Sequence, residues 1–184
     1  PKVHPQSEDY EGSVNTSSIR ACYDEGKRIA ETMCFDFNRI HSLDIRIARI
    51  FNSYGPRMAA NDGRVISNFV RQSLKGDELT IYGDGTQTRS FCYVSDLIEG
   101  LSSLMETNYY YPINIGNDEE ISIINLAELI KTKINKDIIL EYRKLPLDDP
   151  ERRKPNLKKA KKYLNWSPQI SLVEGLNKTI DYYR

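Results

Sequence analysis

An α/β fold with parallel strand pairing is what this 184-residue sequence predicts. Three observations lead there. Short β-branched runs, of which Leu43-Asp-Ile-Arg-Ile-Ala-Arg-Ile-Phe51 is the clearest, alternate along the chain with stretches of helical period. Clusters of glycine, proline and asparagine mark the changes from one to the other. Parallel neighbours need a crossover between them, and the intervening helices supply it.

Taken in order, residues 1–17 are polar and read as irregular. From about Ser18 to Ile40 a helix is expected, with Gly26, Ala30, Met33, Cys34 and Phe37 falling on one face. The strand at 43–51 follows, then a loop over Asn52–Gly63, which contains Gly-Pro and Asp-Gly breakers. Ile66–Leu74 reads as a helix stopped by Gly76, Leu79–Tyr82 as a strand and Gly83–Gly85 as a turn rather than a phosphate cradle. Phe91–Val94 is a strand, after which Ser95 or Asp96 caps a helix running to Met105. Tyr111–Ile115 is a strand, Ser122–Asn125 opens a helix to about Ile134, and Ile138–Tyr142 is a further strand. Two helices, near 156–164 and 171–183, close the chain. Trp166 is expected in the core, Tyr109–Tyr111 as aromatic filler, Met33 and Phe37 in core or helix–helix contact, and His4 as a loop residue.

Composition narrows the partners. Twenty-six basic residues balance twenty-six acidic ones, so nothing favours nucleic acid. The cations are uneven, with seven and no anion between Arg152 and Lys162, a run read as a largely solvated face. Three cysteines without metal-ligand spacing point to reduced thiols, hence a cytoplasmic location, and two histidines leave little for a metal site. No apolar run approaches the ~20 residues that span a bilayer, so no membrane contact is expected from this segment. Three glycosylation sequons do not outweigh the cysteine argument.

The chemistry centres on Tyr23 and Lys27 in Cys22-Tyr-Asp-Glu-Gly-Lys-Arg28. Four residues on a helix is one turn, so both side chains point the same way. An ammonium fixed beside a phenol favours the phenolate, which suits a tyrosine to act as a base. By itself the Y-x-x-x-K spacing is a weak signal, equally met by an exposed tyrosine and a solvated lysine.

The surrounding motifs add specificity. Tyr23-Asp-Glu-Gly-Lys27, Arg49-Ile-Phe-Asn-Ser-Tyr-Gly-Pro-Arg57, Asp62-Gly-Arg-Val-Ile-Ser-Asn68 and Tyr82-Gly-Asp-Gly-Thr-Gln-Thr-Arg-Ser-Phe91 resemble extended short-chain dehydrogenase/reductases acting on sugar nucleotides. So do Tyr93-Val-Ser-Asp96, Asn114-Ile-Gly-Asn117, Asp148-Asp-Pro-Glu-Arg-Arg-Lys-Pro155 and Leu164-Asn-Trp-Ser-Pro168. Within them the chain is most similar to the UDP-glucuronic acid decarboxylases, over essentially its whole length. The resemblance implies a partial Rossmann-type parallel sheet plus a smaller C-terminal α/β substrate-binding region. Residues 1–62 and 87–116 would belong to the NAD-binding domain, and 63–86 and 117–184 to the sugar-nucleotide region.

It also implies roles. Tyr23 resembles the base that takes the sugar C4 proton, and Lys27 the residue that holds the nicotinamide ribose of NAD. Ser53 and Arg64 resemble cofactor contacts. Asn52, at the end of a predicted parallel strand, matches a contact to the sugar-nucleotide phosphates; its plainer reading is a loop residue capping its own turn. Arg89, with Gln87, resembles the diphosphate-binding arginine, and Tyr82 and Val65 stand near the uridine of the UDP-sugar. Arg153 aligns with an arginine that reaches the substrate, there to stabilise the carboxylate or protonate the enolate; Arg152 and Lys154 are expected to stay solvated. Such enzymes pair as homodimers through the Tyr23/Lys27 helix.

One departure is large. The glycine-rich dinucleotide fingerprint and the Thr/Ser-Ser-Glu segment of these enzymes do not occur in the 184 residues. The resemblance sets both upstream of Pro1, so the chain is expected to be part of something longer, carrying half of an active site and inactive alone. A Golgi location would follow if an upstream anchor exists. Two other readings stand beside decarboxylation: a nucleotide-sugar 4-epimerase or 4,6-dehydratase, which needs no group for a carboxylate, and a non-catalytic binding or assembly module.

Overall fold

The computed structural model describes residues 1–19, 21–59, 62–146 and 150–184. Expectations for Asp148 and Asp149, and for positions 20, 60 and 61 of the first helix and the following loop, lie outside the described residues.

Helix α1 spans Ala21–His41. Its expected apolar face is largely uncovered by the described chain, with only Cys34 of that face half-buried. Ala21 is the one residue of the helix that is buried, while Met33 is 50% and Phe37 45% exposed. Apart from Phe35 against Tyr111, apolar packing among the described residues therefore does not hold α1. Two arginines do: Arg28 donates to the Glu11 carbonyl (2.7 Å), and Arg49 forks onto both carboxylate oxygens of Glu31, each at 2.8 Å.

Strand β1 is Ala48–Ile50, shorter than the predicted 43–51 because its parallel partner β6, Ile113–Ile115, offers only three residues to pair. β2 (Ser53–Tyr54) lies inside the expected loop and pairs in parallel with β5 (Cys92–Tyr93). α2 spans Val65–Lys75 and ends as predicted. Gly76 takes the left-handed conformation (φ 76°) that only glycine adopts without strain, and its N–H reaches the Gln72 and Ser73 carbonyls. β3, Leu79–Tyr82, pairs in parallel with β8, Leu140–Arg143.

A three-stranded sheet was not visible in the sequence. β4 (Thr88–Ser90) is its centre, flanked by antiparallel β7 (Glu120–Ser122) and parallel β9 (Arg152–Arg153). Two- and three-residue polar strands carry no periodicity, so only the tertiary pairing makes them strands.

Helix α3, Val94–Met105, starts earlier than expected, and neither Ser95 nor Asp96 caps it. Asp96 is buried and its carboxylate accepts the N–H groups of Gln169 (3.1 Å) and Ile170 (2.9 Å), tying α3 to the distant C-terminal segment. α4 (Ile123–Ile134) and α6 (Leu172–Tyr183) are capped by the hydroxyls of Ser122 and Ser171, each accepting a backbone N–H at 3.2 Å. α5 spans Lys158–Leu164.

Two apolar cores result. Ile66, Phe69, Leu79, Ile81, Leu126, Ile130 and Leu176 join α2, β3, α4 and α6; Leu97, Leu104, Ile113, Ile115, Ala160 and Trp166 join α3, β6 and α5. Trp166 is a core residue, as expected. The tyrosines Tyr109 and Tyr111 pack among Tyr163 and Phe35. All three cysteines are unpaired, and burial, followed by the charge of Asp96, pushes the Cys92 thiol up to about 12.

Residues 1–17 lack regular structure, yet the first ten are tightly bound. The Gln6 N–H donates to the Lys154 carbonyl (2.8 Å), its side-chain oxygen accepts the Lys154 N–H (2.9 Å), and its carbonyl accepts the Asn156 N–H (2.7 Å). Buried Glu8 accepts the Asn114 N–H on β6 (2.9 Å) and its carbonyl accepts from Arg49 (2.8 Å). Nor is His4 a mere loop residue, because its Nε2 sits 2.9 Å from Glu120 Oε2.

Candidate active site

The α1 helix presents Tyr23 and Lys27 on one exposed face, as the spacing requires. Tyr23 is 60% exposed, and the Lys27 ammonium lies over its ring, 5.5 Å from the centre. Asn52 and Ser53 follow the carboxyl end of β1, where open parallel sheets collect ligands. The Asn52 carbonyl accepts the Cys92 N–H (2.8 Å), which leaves its half-buried side chain for other partners.

Arg64 stands at the start of α2 with Val65 half-buried behind it. The chain brings its own anion to this helix N-terminus. Asp62 Oδ1 accepts the Arg64 N–H (3.0 Å) and the Ser67 hydroxyl (2.6 Å), and Asp62 Oδ2 lies 3.4 Å from Arg64 Nε. Tyr82, exposed at the end of β3, receives the Gln87 amide on its carbonyl (2.6 Å), so those two residues are neighbours.

Arg89 is 8% exposed. Its Nη1 donates to the carbonyls of Thr88 (2.8 Å) and Glu151 (3.3 Å), which fixes the guanidinium at the β4–β9 seam. Parallel pairing puts Arg153 directly opposite it. A cavity of about 450 Å³ opens between the start of α1, through Ser18 and Asp24, and the approach to β9, through Pro150, Glu151 and Arg152. Asp24 of α1 and Arg152 of β9 thus border one space, while Arg153, the next residue along its strand, is turned to the opposite face.

Behind the arginines lies a charged cluster that sequence reasoning missed. Glu120 Oε1 accepts the Thr88 hydroxyl (2.7 Å), and Oε2 is 2.9 Å from His4 Nε2, 3.4 Å from Arg152 Nη2 and 3.9 Å from Lys154 Nζ. Burial works to raise this carboxyl, but the hydrogen bonds from Thr88 and His4 and the nearby charges together hold it below the usual carboxylate range. Arg152 and Lys154 are accordingly engaged rather than merely solvated. Further along the basic run, Lys159 pairs with Asp9 (2.9 Å) and Lys161 with Asp118 (3.5 Å). The anions come from positions far away in sequence, so local charge counting could not find them. Among the described residues no group of three or more His, Cys, Asp and Glu side chains could hold a metal, and no helix is long and apolar enough to cross a membrane.

This architecture has relatives. Residues 1–116 match the model of the NAD dependent epimerase/dehydratase family. The chain belongs to that family. UDP-glucuronic acid decarboxylase 1 of Xenopus tropicalis is 54% identical over 184 residues, covering all of this chain and 44% of that protein. UDP-glucuronic acid decarboxylase 6 of Arabidopsis thaliana is 55% identical over 176 residues, covering 96% of this chain and 51% of its own length. The chain therefore spans about half the length of these relatives. Among solved structures, UDP-glucose 4-epimerase of Thermotoga maritima with UDP-glucose superposes with a TM-score of 0.91 at 29% identity, over all of this chain and 58% of that one. UDP-glucuronic acid 4-epimerase of Bacillus cereus, in complex with UDP-glucuronic acid and NAD, gives 0.82 at 30% identity, over 94% and 56%. The short parallel pairs are thus portions of a Rossmann-like epimerase/dehydratase sheet.

NAD fits the residues present at one end only. Tyr23 and Lys27 are exposed on one helix face, and Asn52 and Ser53 follow a strand's carboxyl end, where a ligand can reach them. The glycine-rich turn that holds a pyrophosphate on helix N–H groups is not among the 184 residues.

Proposed function

We propose that this chain supplies the catalytic-tyrosine half of an NAD-dependent UDP-glucuronate decarboxylase, which forms UDP-xylose and carbon dioxide through a 4-keto sugar. The observation that carries the reading is the joint presence of the exposed Tyr23–Lys27 pair and the Arg89–Arg153 pairing in a chain 54% identical to a UDP-glucuronic acid decarboxylase.

When bound, NAD supplies the hydride chemistry at the sugar C4. Tyr23 takes the C4 hydroxyl proton, and Lys27 holds the nicotinamide ribose within reach of it. Arg153 faces the sugar carboxylate and stabilises the charge that moves onto the ketone as carbon dioxide leaves. Arg89 binds the diphosphate with its planar fork, Asn52 adds a phosphate contact, and Gln87, Tyr82 and Val65 line the uridine side. Ser53 and Arg64 serve the cofactor side. Residues 1–62 and 87–116 form the cofactor-facing part, 63–86 and 117–184 the part facing the sugar nucleotide. The exposed apolar face Ile29, Met33, Phe37 and Ile40 suits α1 to a homodimer contact. By themselves residues 1–184 bind no NAD and turn over nothing, a reading supported by the lack of a pyrophosphate turn and testable by calorimetry.

The decisive experiment incubates the enzyme containing residues 1–184 with NAD and UDP-glucuronate. UDP-xylose and carbon dioxide are expected, and Tyr23→Phe should lower the rate about 10²- to 10⁴-fold. Formation of UDP-galacturonate without carbon dioxide would instead establish an epimerase.

A further inference from the structure

Strand alternation gives the β7–β4–β9 sheet two unlike faces. Glu120, Thr88 and Arg152 meet on one, while Arg89 and Arg153, one residue along each strand, point to the other. Glu120 therefore sits directly behind the arginine seam. It is 16% exposed and joins three separate pieces of chain: β4 through Thr88, β9 through Arg152 with Lys154, and the N-terminal segment through His4.

That segment leads to α1. From His4 the contacts run through Gln6, which pairs with Lys154 and Asn156, and Glu8, which holds Asn114 of β6. Arg49 then bonds the Glu8 carbonyl and Glu31 of α1. One continuous set of contacts connects the strand carrying Arg153 with the helix carrying Tyr23.

We propose that Glu120 is a positioning residue, setting Arg153 relative to Tyr23 through Thr88, Arg152 and His4. This rests on the decarboxylase reading. Without its carboxylate, Arg152 and Lys154 lose the counter-charge that Glu120 supplies and His4 loses its partner there, so β9 shifts on β4 and the N-terminal segment loosens. A displacement of about 1 Å at a reacting group can cost on the order of 100-fold in rate.

The test compares Glu120→Gln, His4→Leu and His4→Gln in the NAD-bound enzyme containing residues 1–184, alone and combined with Arg153→Ala. Glu120→Gln should lower kcat on UDP-glucuronate about tenfold, with KM little changed. His4→Leu should do the same, whereas His4→Gln, whose amide still donates to Glu120, should keep kcat within about twofold. With Arg153→Ala already present, Glu120→Gln should cost nothing more, because its effect passes through that arginine. Should Glu120→Gln fail to fold, His4→Leu takes its place in the cycle. Losses that simply multiply with those of Arg153→Ala, or a kcat unchanged in both variants, would overturn the assignment. A wild-type enzyme with no turnover would remove the underlying reading, and this one with it.

Discussion

Arg89 and Arg153 stand directly across from one another in the parallel pairing of β4 with β9, although 64 positions separate them in the chain. The Thr88 and Glu151 carbonyls receive the Arg89 guanidinium, which anchors that side chain at the seam between the two strands.

Replacing Arg89 by lysine keeps the charge and loses the planar fork. The expected outcome is a roughly 10- to 100-fold rise in KM for the UDP-sugar, equivalent to about 1.5–3 kcal/mol for hydrogen bonds to a charged group. Steady-state kinetics on the NAD-bound enzyme check it, and an unchanged KM would take Arg89 out of the diphosphate site.

Removal of the Glu31 side chain should loosen α1. The Glu31 hydrogen bond and charge raise the Arg49 pKa against the opposing effect of burial, so the pair is well formed. Since the helix buries so little within this chain, Glu31→Ala is expected to cost about 1–3 kcal/mol by leaving Arg49 without its carboxylate. Hydrogen exchange across Ala21–His41 should accelerate while exchange in α2 and α4 stays as it was; equal protection in both proteins would refute the latch.

Acid should erase the contribution of Glu120. A carboxyl held below its ordinary value in the folded state stabilises the fold fully above the unfolded value of about 4.5, and that stabilisation disappears as pH falls through the lower folded value. Urea midpoints for wild type and Glu120→Gln should therefore differ by a constant amount from pH 7 to about 5 and converge toward pH 3. A gap that widens on acidification would contradict the depressed carboxyl.

Gly175 lets α6 approach β2 and β5. A methyl group there would run into the Tyr54 hydroxyl and come within 2.8 Å of the Tyr93 ring. Gly175→Ala should destabilise by about 1–3 kcal/mol, read as a lower thermal midpoint. Gly26→Ala on exposed α1 meets nothing within 4 Å and should stabilise by about 0.5–1 kcal/mol. The opposite ordering would mean that the α6 contact is not as close as drawn.

Local signals were legible wherever the physics was local. Gly76 ended α2, Ser122 and Ser171 capped their helices, and Leu79–Tyr82 formed its strand, because each depends on neighbours within one turn or one short ladder. The Tyr23–Lys27 proximity was likewise fixed by helical spacing. Asp96 misled because its capping chemistry is generic: the same carboxylate that can accept an N–H at its own helix start accepts two from Gln169 and Ile170 instead.

By itself the amino-acid order determined the α/β class, most helices and strands, and the helical spacing that sets Lys27 beside Tyr23. Only the tertiary structure decided that Thr88–Ser90, Glu120–Ser122 and Arg152–Arg153 are strands of one sheet, and that Glu120 gathers His4, Arg152 and Lys154 behind the two arginines. The reason is range. Turns, caps and periodicity act over a few residues, whereas those three strands are too short to stand alone and exist through partners 30 or more positions away, whose meeting depends on how the whole chain packs.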